Sequence, residues 1–134
     1  MFLNRLGENE KELFLSLCAH AASLNGDFDE EEMEKMAHIC YEMMLPNHLP
    51  DTSQPLVDVL NELAKNTSKQ ERYIIVFELI MMLLDDGIYF SSEESFARDV
   101  AETLGLTEEK FRSLTALADQ YVTLRDDILF ELSN

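Results

Sequence analysis

One twelve-residue segment, Tyr73 to Leu84, is apolar on every side and is interrupted only by Glu78. It follows Ser68 and Glu71, whose spacing is typical of a capping box at the start of a helix. A helix that is apolar all round is stable only when other helices surround it. The segment is too short to span a bilayer, which needs about 20 residues. The sequence therefore predicts a buried central helix within a bundle.

Apolar residues recur at helical spacing along nearly all of the 134 residues, and no segment alternates as a strand would. Capping, Gly and Pro signals divide this pattern into helices. The expected helices run from Glu8 to Leu24, from Asp29 to just before Pro46, from Pro55 to Lys65, from Ser68 to Leu84, from Ser91 to Leu104 and from Thr107 toward Leu132. A chain of this length can form its own core. We expect one all-α domain over residues 1–134, with about six to seven helices.

The two halves of the chain, approximately 8–66 and 67–132, carry the same succession of signals. Each has an apolar helix, a turn containing Gly, an aromatic residue, a capping residue and a Glu three positions further on. These are Asn25-Gly26, Phe28, Asp29 and Glu32 in the first half, and Asp86-Gly87, Phe90, Ser91 and Glu94 in the second. Duplication at this length predicts two helical hairpins related by a pseudo-twofold axis. Chance similarity of the capping signals is the alternative.

Acidic residues far outnumber basic ones, with 27 Asp and Glu against 10 Lys and Arg and a formal net charge of −17. Such a surface repels phosphate backbones and anionic lipid headgroups, so we expect no nucleic-acid binding. The start of the chain lacks the pattern of a secretory signal. Cys18 and Cys40 lie on apolar helix stripes without a CxxC partner. These features predict a reduced, cytoplasmic protein that is not inserted into a membrane.

The sequence motifs of common enzyme classes are absent. There is no HExxH, HxxxH or CxxC spacing for zinc, no Gly-rich phosphate loop and no GxSxG nucleophile. Neither Gly turn fits a calcium EF-hand, because positions one and three of the loops would lack carboxylates. The sequence thus favours a non-enzymatic protein.

Glu78 stands out because it lies within the most apolar helix. A carboxylate surrounded by hydrocarbon must be paired, protonated or bound to a metal. Its structural partner would be Arg72, Arg98 or Arg112, or a hydrogen-bonding group at a helix end. A role as a ligand or as an acid or base is the alternative.

Carboxylates also cluster in the two Gly turns. Asp29, Glu32 and Glu94 are explained as helix caps, since they suit the orphan amides and the dipole of a helix N-terminus. Asp85 and Asp86 instead follow a helix C-terminus, where negative charge is unfavourable by up to about 1 kcal/mol. An acidic pair placed against the dipole suggests contact with a metal ion or a partner.

Two segments resemble the motif of the TerB-like, tellurite-resistance-associated family. They are Leu24 to Glu32, with the sequence LNGDFDEEE, and Asp85 to Glu94, with the sequence DDGIYFSSEE. The passage Leu104-Gly105-Leu106 between two helices is also similar to that family. The resemblance covers roughly residues 8–125. It implies a TerB-like helical bundle with pseudo-twofold halves and a role in stress response.

The same resemblance implies divalent-metal binding by acidic residues near the two turns. By position, the implied ligands are Asp27, Asp29, Glu32, Asp85, Asp86 and Glu94. Asn25 stands where the family usually has Asp, and the second turn is longer by one residue. The implied site is therefore weak. Domains of this family also form the N-terminal part of membrane-anchored DnaJ-type co-chaperones.

These observations lead to three hypotheses of function. The first is an acidic helical module in stress response, which binds a divalent cation weakly, docks a protein partner, or does both through the two turns. Oxygen ligands would favour calcium, magnesium or manganese as the cation. The second is a small metal-dependent, hydrolase-like enzyme that uses Glu78 and the turn carboxylates around an activated water. The third is a structural homodimer formed through an exposed Met and aromatic face.

Calorimetric titration of the chelator-stripped chain with calcium, magnesium, manganese and zinc tests the metal prediction. We expect a cation site that is lost when Asp85 and Asp86 are both changed to Asn, because the change removes two charged oxygen ligands. Heats near zero together with an unchanged melting temperature would leave these carboxylates without a metal-binding role.

Overall fold

The computed structural model describes residues 2–25, 30–45, 53–84 and 91–133, and it contains six α-helices in these ranges. They are α1 (Glu8–Ala22), α2 (Glu30–Glu42), α3 (Leu56–Asn66), α4 (Lys69–Leu84), α5 (Ser91–Thr103) and α6 (Glu108–Ser133). Two short 3₁₀ helices, Leu3–Arg5 and Ser23–Asn25, flank α1. Since the described ranges hold helices and no strand, the predicted all-α class is confirmed.

The apolar helix α4 lies at the centre, as its composition predicts. It packs against α1, α5, α6 and the 3₁₀ helix Leu3–Arg5. Ile75, Val76, Leu79 and Ile80 have no exposed surface, and the other apolar side chains of α4 are buried or half-buried. Among the helices of the described ranges, none combines the length and apolar character that a bilayer span requires.

The first three helices form the other side of the core. α1 packs against α2 and α3, and α3 in turn contacts α5. Phe14 and Leu17 of α1 are fully buried. Cys18 and Cys40 are buried free thiols, as expected for cysteines on apolar stripes. One core therefore runs through both halves of the sequence.

The ends of α2 and α5 share the same backbone motif. The amide of Leu45 donates to the carbonyl of Cys40, and the amide of Leu106 donates to that of Ala101. The residue at the turn has a positive φ in both cases, 60° at Met44 and 85° at Gly105. This is the Schellman ending, in which glycine is usual. The first helix of each half also packs against the other two helices of that half. The predicted repeat of the two halves stays a prediction.

Most predicted helix ends agree with the structure. Ser68 and Glu71 form the capping box, because the Ser68 amide donates to Glu71 Oε1 over 2.9 Å and the Glu71 amide donates to Ser68 Oγ over 3.2 Å. Thr107 caps α6 by accepting the amide of Lys110 over 3.1 Å. A capping residue lies just before the first residue of its helix. Ser91 is itself the first residue of α5, so the helix begins one residue earlier than predicted. The predicted cap at Asp29 lies outside the described residues.

Arg72 joins the start of α4 to the ends of two other helices. Its guanidinium donates to the carbonyl of Ala64 in α3, to Thr67 Oγ1 over 3.1 Å and to the carbonyl of Leu104 over 3.4 Å. Carbonyls at helix C-termini have no partner within their own helix. A single half-buried side chain therefore satisfies the ends of α3 and α5 and holds both against α4.

Changing Arg72 to Met should lower the free energy of unfolding by about 2–4 kcal/mol, because a charged donor is worth about 1.5–3 kcal/mol and several bonds are lost together. The measurement is urea denaturation. Arg112→Met is the matched control, since this exposed arginine pairs with Glu108 at the surface and should contribute under about 1 kcal/mol. Equal losses in the two variants would contradict the role given to Arg72.

Candidate functional site

The turn carboxylates predicted as metal ligands are mostly outside the described residues. Asp27, Asp29, Asp85 and Asp86 fall in the gaps between the described ranges, and Glu32 lies in α2 with its side chain undescribed. Within the ranges that the structure does describe, no group of three or more His, Cys, Asp or Glu side chains could hold a metal ion. The metal site therefore stays a prediction.

Glu94, another predicted ligand, belongs to a surface ion-pair network. Its carboxylate lies 3.3 Å from Arg98, which also contacts Glu108 at 3.1 Å. Arg112 contacts the same Glu108 oxygen at 3.2 Å. The hydrogen bond from Arg98 lowers the pKa of the Glu108 carboxyl, and the same bond raises the pKa of the Arg98 guanidinium. In the structure, Arg98 therefore ties α5 to the start of α6, and Glu94 pairs with this arginine within α5.

Glu78 is buried in the middle of α4 and keeps only 7% of its surface exposed. Its Oε1 accepts a hydrogen bond from the backbone amide of Phe2 over 2.7 Å. Phe2 caps the 3₁₀ helix Leu3–Arg5, so the predicted hydrogen bond to a helix end is present. The Phe2 ring also packs edge-on against Phe77, with centroids 6.1 Å apart. Glu78 thereby fastens the N-terminal segment to α4.

The three arginines considered as partners of Glu78 form contacts elsewhere. Arg72 donates to the ends of α3 and α5, and Arg98 and Arg112 pair with Glu108. Arg125 of α6 lines one cavity together with Glu78.

The negative charge of Glu78 also acts on the core beneath it. Cys18 is fully buried, and burial raises the pKa of its thiol well above the usual range, with further increases from electrostatic interactions with Glu78 and Cys40. Burial raises the pKa of the Cys40 thiol as well. Because the thiolate is the reactive form of cysteine, a raised pKa disfavours that form at both positions.

Glu78 lines an open cavity of about 440 Å³ that is bordered by α1, α2, α4, α6 and the 3₁₀ helix Leu3–Arg5. We call it the Glu78 cavity. Its volume lies within the range of about 300–1,000 Å³ that is typical of small-molecule sites. The apolar and aromatic lining consists of Leu3, Phe14, Ile39, Met81, Met82 and Tyr121. The polar lining consists of Glu34, Lys35, His38, Glu42, Glu78 and Arg125.

The sequence did not predict this cavity. Glu34, His38 and Glu42 recur every four residues along α2, which indicates one polar helix face and nothing more. The structure places that face beside the buried carboxylate of α4. The spacing in the sequence indicates the polar face of α2. Only the packing of the helices shows that this face lies beside Glu78.

A second feature missing from the sequence reasoning is the exposed apolar surface of α6. Its members, which we call the α6 stripe, are Leu117, Tyr121, Leu124, Ile128 and Leu132, and they are 53%, 38%, 59%, 49% and 78% exposed. At about 100° per residue they lie within about 80° of one another on the helix. The buried side chains of α6, Phe111, Ala118 and Val122, lie on an adjacent face about 100° away. The stripe therefore does not belong to the core.

Comparison of the chain with protein-family models, with curated proteins and with solved structures found no significant match. The resemblance to the TerB-like family accordingly stays a prediction. The Glu78 cavity and the α6 stripe are two features of the described residues that bear on function.

The network around Glu108 predicts a pH-dependent part of the stability. A carboxyl whose pKa is lowered by folding stabilises the fold above its unfolded pKa of about 4.3, and this contribution is lost as the pH falls through the lower folded value. Glu108→Gln should therefore destabilise the chain at pH 7, and the difference from the parent should shrink below about pH 4. Urea denaturation across this pH range measures it.

Glu109→Gln is the control, since it removes a carboxylate from the same helical turn. A difference between parent and Glu108→Gln that stays constant with pH would rule out this contribution.

Proposed function

We propose that this chain is a non-enzymatic interaction module that docks a basic, amphipathic helix of a protein partner on the α6 stripe. The observation that carries the proposal is the exposure of five large apolar side chains along one face of a helix. Soluble proteins rarely leave contiguous apolar patches of this kind uncovered unless the patch binds something.

The spacing of the stripe suits a helical partner. Leu117, Tyr121, Leu124 and Ile128 follow one another at intervals of four, three and four residues, as in the seam of two packed helices. From Thr123 to Ser133 every residue except Arg125 is exposed, so this end of α6 is accessible along its length. A second helix laid along it would bury the apolar side chains at about 25 cal/mol for each Å².

Charge determines which kind of helix fits. Between Leu117 and Leu132, α6 carries the four carboxylates Asp119, Asp126, Asp127 and Glu131 against one guanidinium, Arg125. At about 100° per residue, Asp127 and Glu131 border the stripe on its edge away from the core. A partner with lysine or arginine beside its apolar face would complement this edge. A second copy of the chain would bring another net charge of −17 to the interface, and the repulsion opposes it.

This proposal keeps the protein-partner hypothesis from the sequence and moves it to a different surface. Its site is the α6 stripe, whereas the sequence reasoning used the two acidic turns. The proposed role in stress response rests on the family resemblance alone. Weak cation binding by the turns is a separate proposal, which the titration described above tests.

A synthetic helix tests the docking site. The probe is a fluorescein-labelled peptide of about three heptads, with Leu at positions a and d and Lys at most other positions. We expect Leu124→Ser combined with Ile128→Ser to weaken its binding at least about tenfold, since two apolar contacts are lost. Fluorescence anisotropy at constant salt measures the affinity. Melting temperatures should stay close to that of the parent, because both residues are exposed.

Val57→Ser is the matched control, because Val57 is an apolar residue of α3 with 61% exposure that lies outside the stripe. Equal binding of a peptide with Glu in place of Lys would contradict the proposed charge of the partner. Sedimentation velocity separates the homodimer: a dimer at micromolar concentration that the double variant dissociates would replace the foreign helix by a second copy.

A further inference from the structure

We propose that α2 provides a second docking surface for a basic, amphipathic helix of a protein partner. The partner's apolar side chains would lie on Met33 and Met44, and one of its lysines or arginines would lie over the ring of Tyr41. This surface is on a different helix from the α6 stripe, so the inference goes beyond the proposed function.

The surface is a line of exposed apolar residues, which we call the α2 stripe. Its members are Met33, Ala37, Tyr41 and Met44, and all four are exposed, the largest fractions being 78% at Tyr41 and 79% at Met44. Met33, Ala37 and Tyr41 follow at intervals of four residues, so they lie within about 80° of one another on the helix. The amide of Met44 donates to the carbonyl of Tyr41 over 3.0 Å, so Met44 extends the line at the helix end.

The shape of the α2 stripe suits a second helix. The small Ala37 lies between the larger Met33 and Tyr41, four residues from each. Small residues between large ones leave room for an apolar side chain of a facing helix, as in the packing of knobs into holes. Methionine adapts its shape to such a neighbour because its side chain is unbranched and flexible.

Met44 is the residue that most strongly indicates a partner. Its φ of 60° lies in the left-handed region, which is unfavourable for residues that carry a side chain. The same position at the end of α5 is Gly105, which adopts a φ of 85° without that penalty. Met44 also leaves a large apolar side chain in water. Glycine would remove both penalties, so we infer that the methionine side chain serves a contact outside the chain.

Tyr41 adds an open aromatic ring. Other rings of the chain already carry cations, since Lys110 lies 4.7 Å from the centroid of Tyr73 and Arg98 lies 5.1 Å from that of Phe111. Among the described residues, no cation and no second ring contacts the ring of Tyr41. Because cations are attracted to the face of an aromatic ring, a lysine or arginine of the partner can occupy this position.

Charge also favours a basic occupant. α2 contains five glutamates against one lysine. Glu34, which lies three residues before Ala37 at the edge of the α2 stripe, is exposed and forms no ion pair with any described residue. A basic helix would bring opposite charge to this edge. A second copy of the chain would bring a net charge of −17, and the repulsion opposes it.

The test follows the methyl signals of a chain labelled with ¹³C at its seven methionines. The probe is the peptide of Leu and Lys used for the α6 stripe, and the chain carries Leu124→Ser with Ile128→Ser to weaken binding there. We expect saturable shifts of the Met33 and Met44 signals that exceed the shift of the buried Met43. This site should be the weaker of the two, because it offers fewer large apolar side chains than the α6 stripe.

Met44→Gly is the decisive variant, because two measurements should move in opposite directions. Loss of the side chain should weaken peptide binding at least about fivefold, with Met33 as the reporter. Relief of the backbone should raise the melting temperature by about 2–4 °C. Met44→Leu is the matched control, since it keeps an apolar side chain at the positive φ and should leave both values close to those of the parent.

Tyr41→Leu tests the cation separately. It keeps an apolar side chain in the α2 stripe but removes the aromatic ring, so peptide binding should weaken about two- to fivefold. Val57→Ser removes an exposed apolar side chain of α3 and should leave the Met33 and Met44 shifts unchanged.

Unshifted or non-saturating signals of Met33 and Met44 would overturn the inference, and so would binding by Met44→Gly that equals that of the parent. A dimer at micromolar concentration that Met44→Gly dissociates in sedimentation velocity would also overturn it and assign the surface to a second copy. These measurements use a chain in which Leu124 and Ile128 are already changed. The α2 stripe and the α6 stripe can therefore fail independently.

Discussion

The enclosure of α4 is the constraint on which the rest of the structure depends. Its apolar side chains point in every direction, and the hydrophobic effect favours only an arrangement that covers all of them. α1, α5, α6 and the 3₁₀ helix Leu3–Arg5 provide that cover. Arg72 then fixes the start of α4 to the ends of α3 and α5 through donors that no apolar side chain could supply. Burial and a few directed hydrogen bonds thus specify one packing.

Enclosure of α4 gives its one buried carboxylate, that of Glu78, a disproportionate influence. A buried carboxylate is costly unless polar groups reach it. The N-terminal segment meets this need by donating the Phe2 amide to Glu78, so the start of the chain packs on the central helix. The same charge helps to keep the Cys18 thiol protonated, and it lines a cavity rimmed by polar residues of α2 and α6. One residue therefore contributes both to the packing of the N-terminus and to the lining of the cavity.

α6 connects the two candidate sites. One face of α6 packs into the core through Phe111, Ala118 and Val122, and the adjacent face carries the exposed stripe from Leu117 to Leu132. Tyr121 belongs to the stripe and also lines the Glu78 cavity, so the two surfaces meet at one side chain. A partner helix on the stripe would therefore lie beside the mouth of the cavity.

The sequence by itself determined the helices, because helical period, capping residues and glycine act locally: the central α4, the box at Ser68 and Glu71 and the ending at Gly105 all follow from neighbouring residues. It also identified Glu78 as exceptional, since hydrocarbon flanks it along the chain. Only the tertiary structure decided that the Phe2 amide meets it, because Phe2 is far from it in sequence. The same holds for α6, where two adjacent apolar faces are visible in the sequence. Packing against α4 buries one face and leaves the other exposed, and no local pattern distinguishes them.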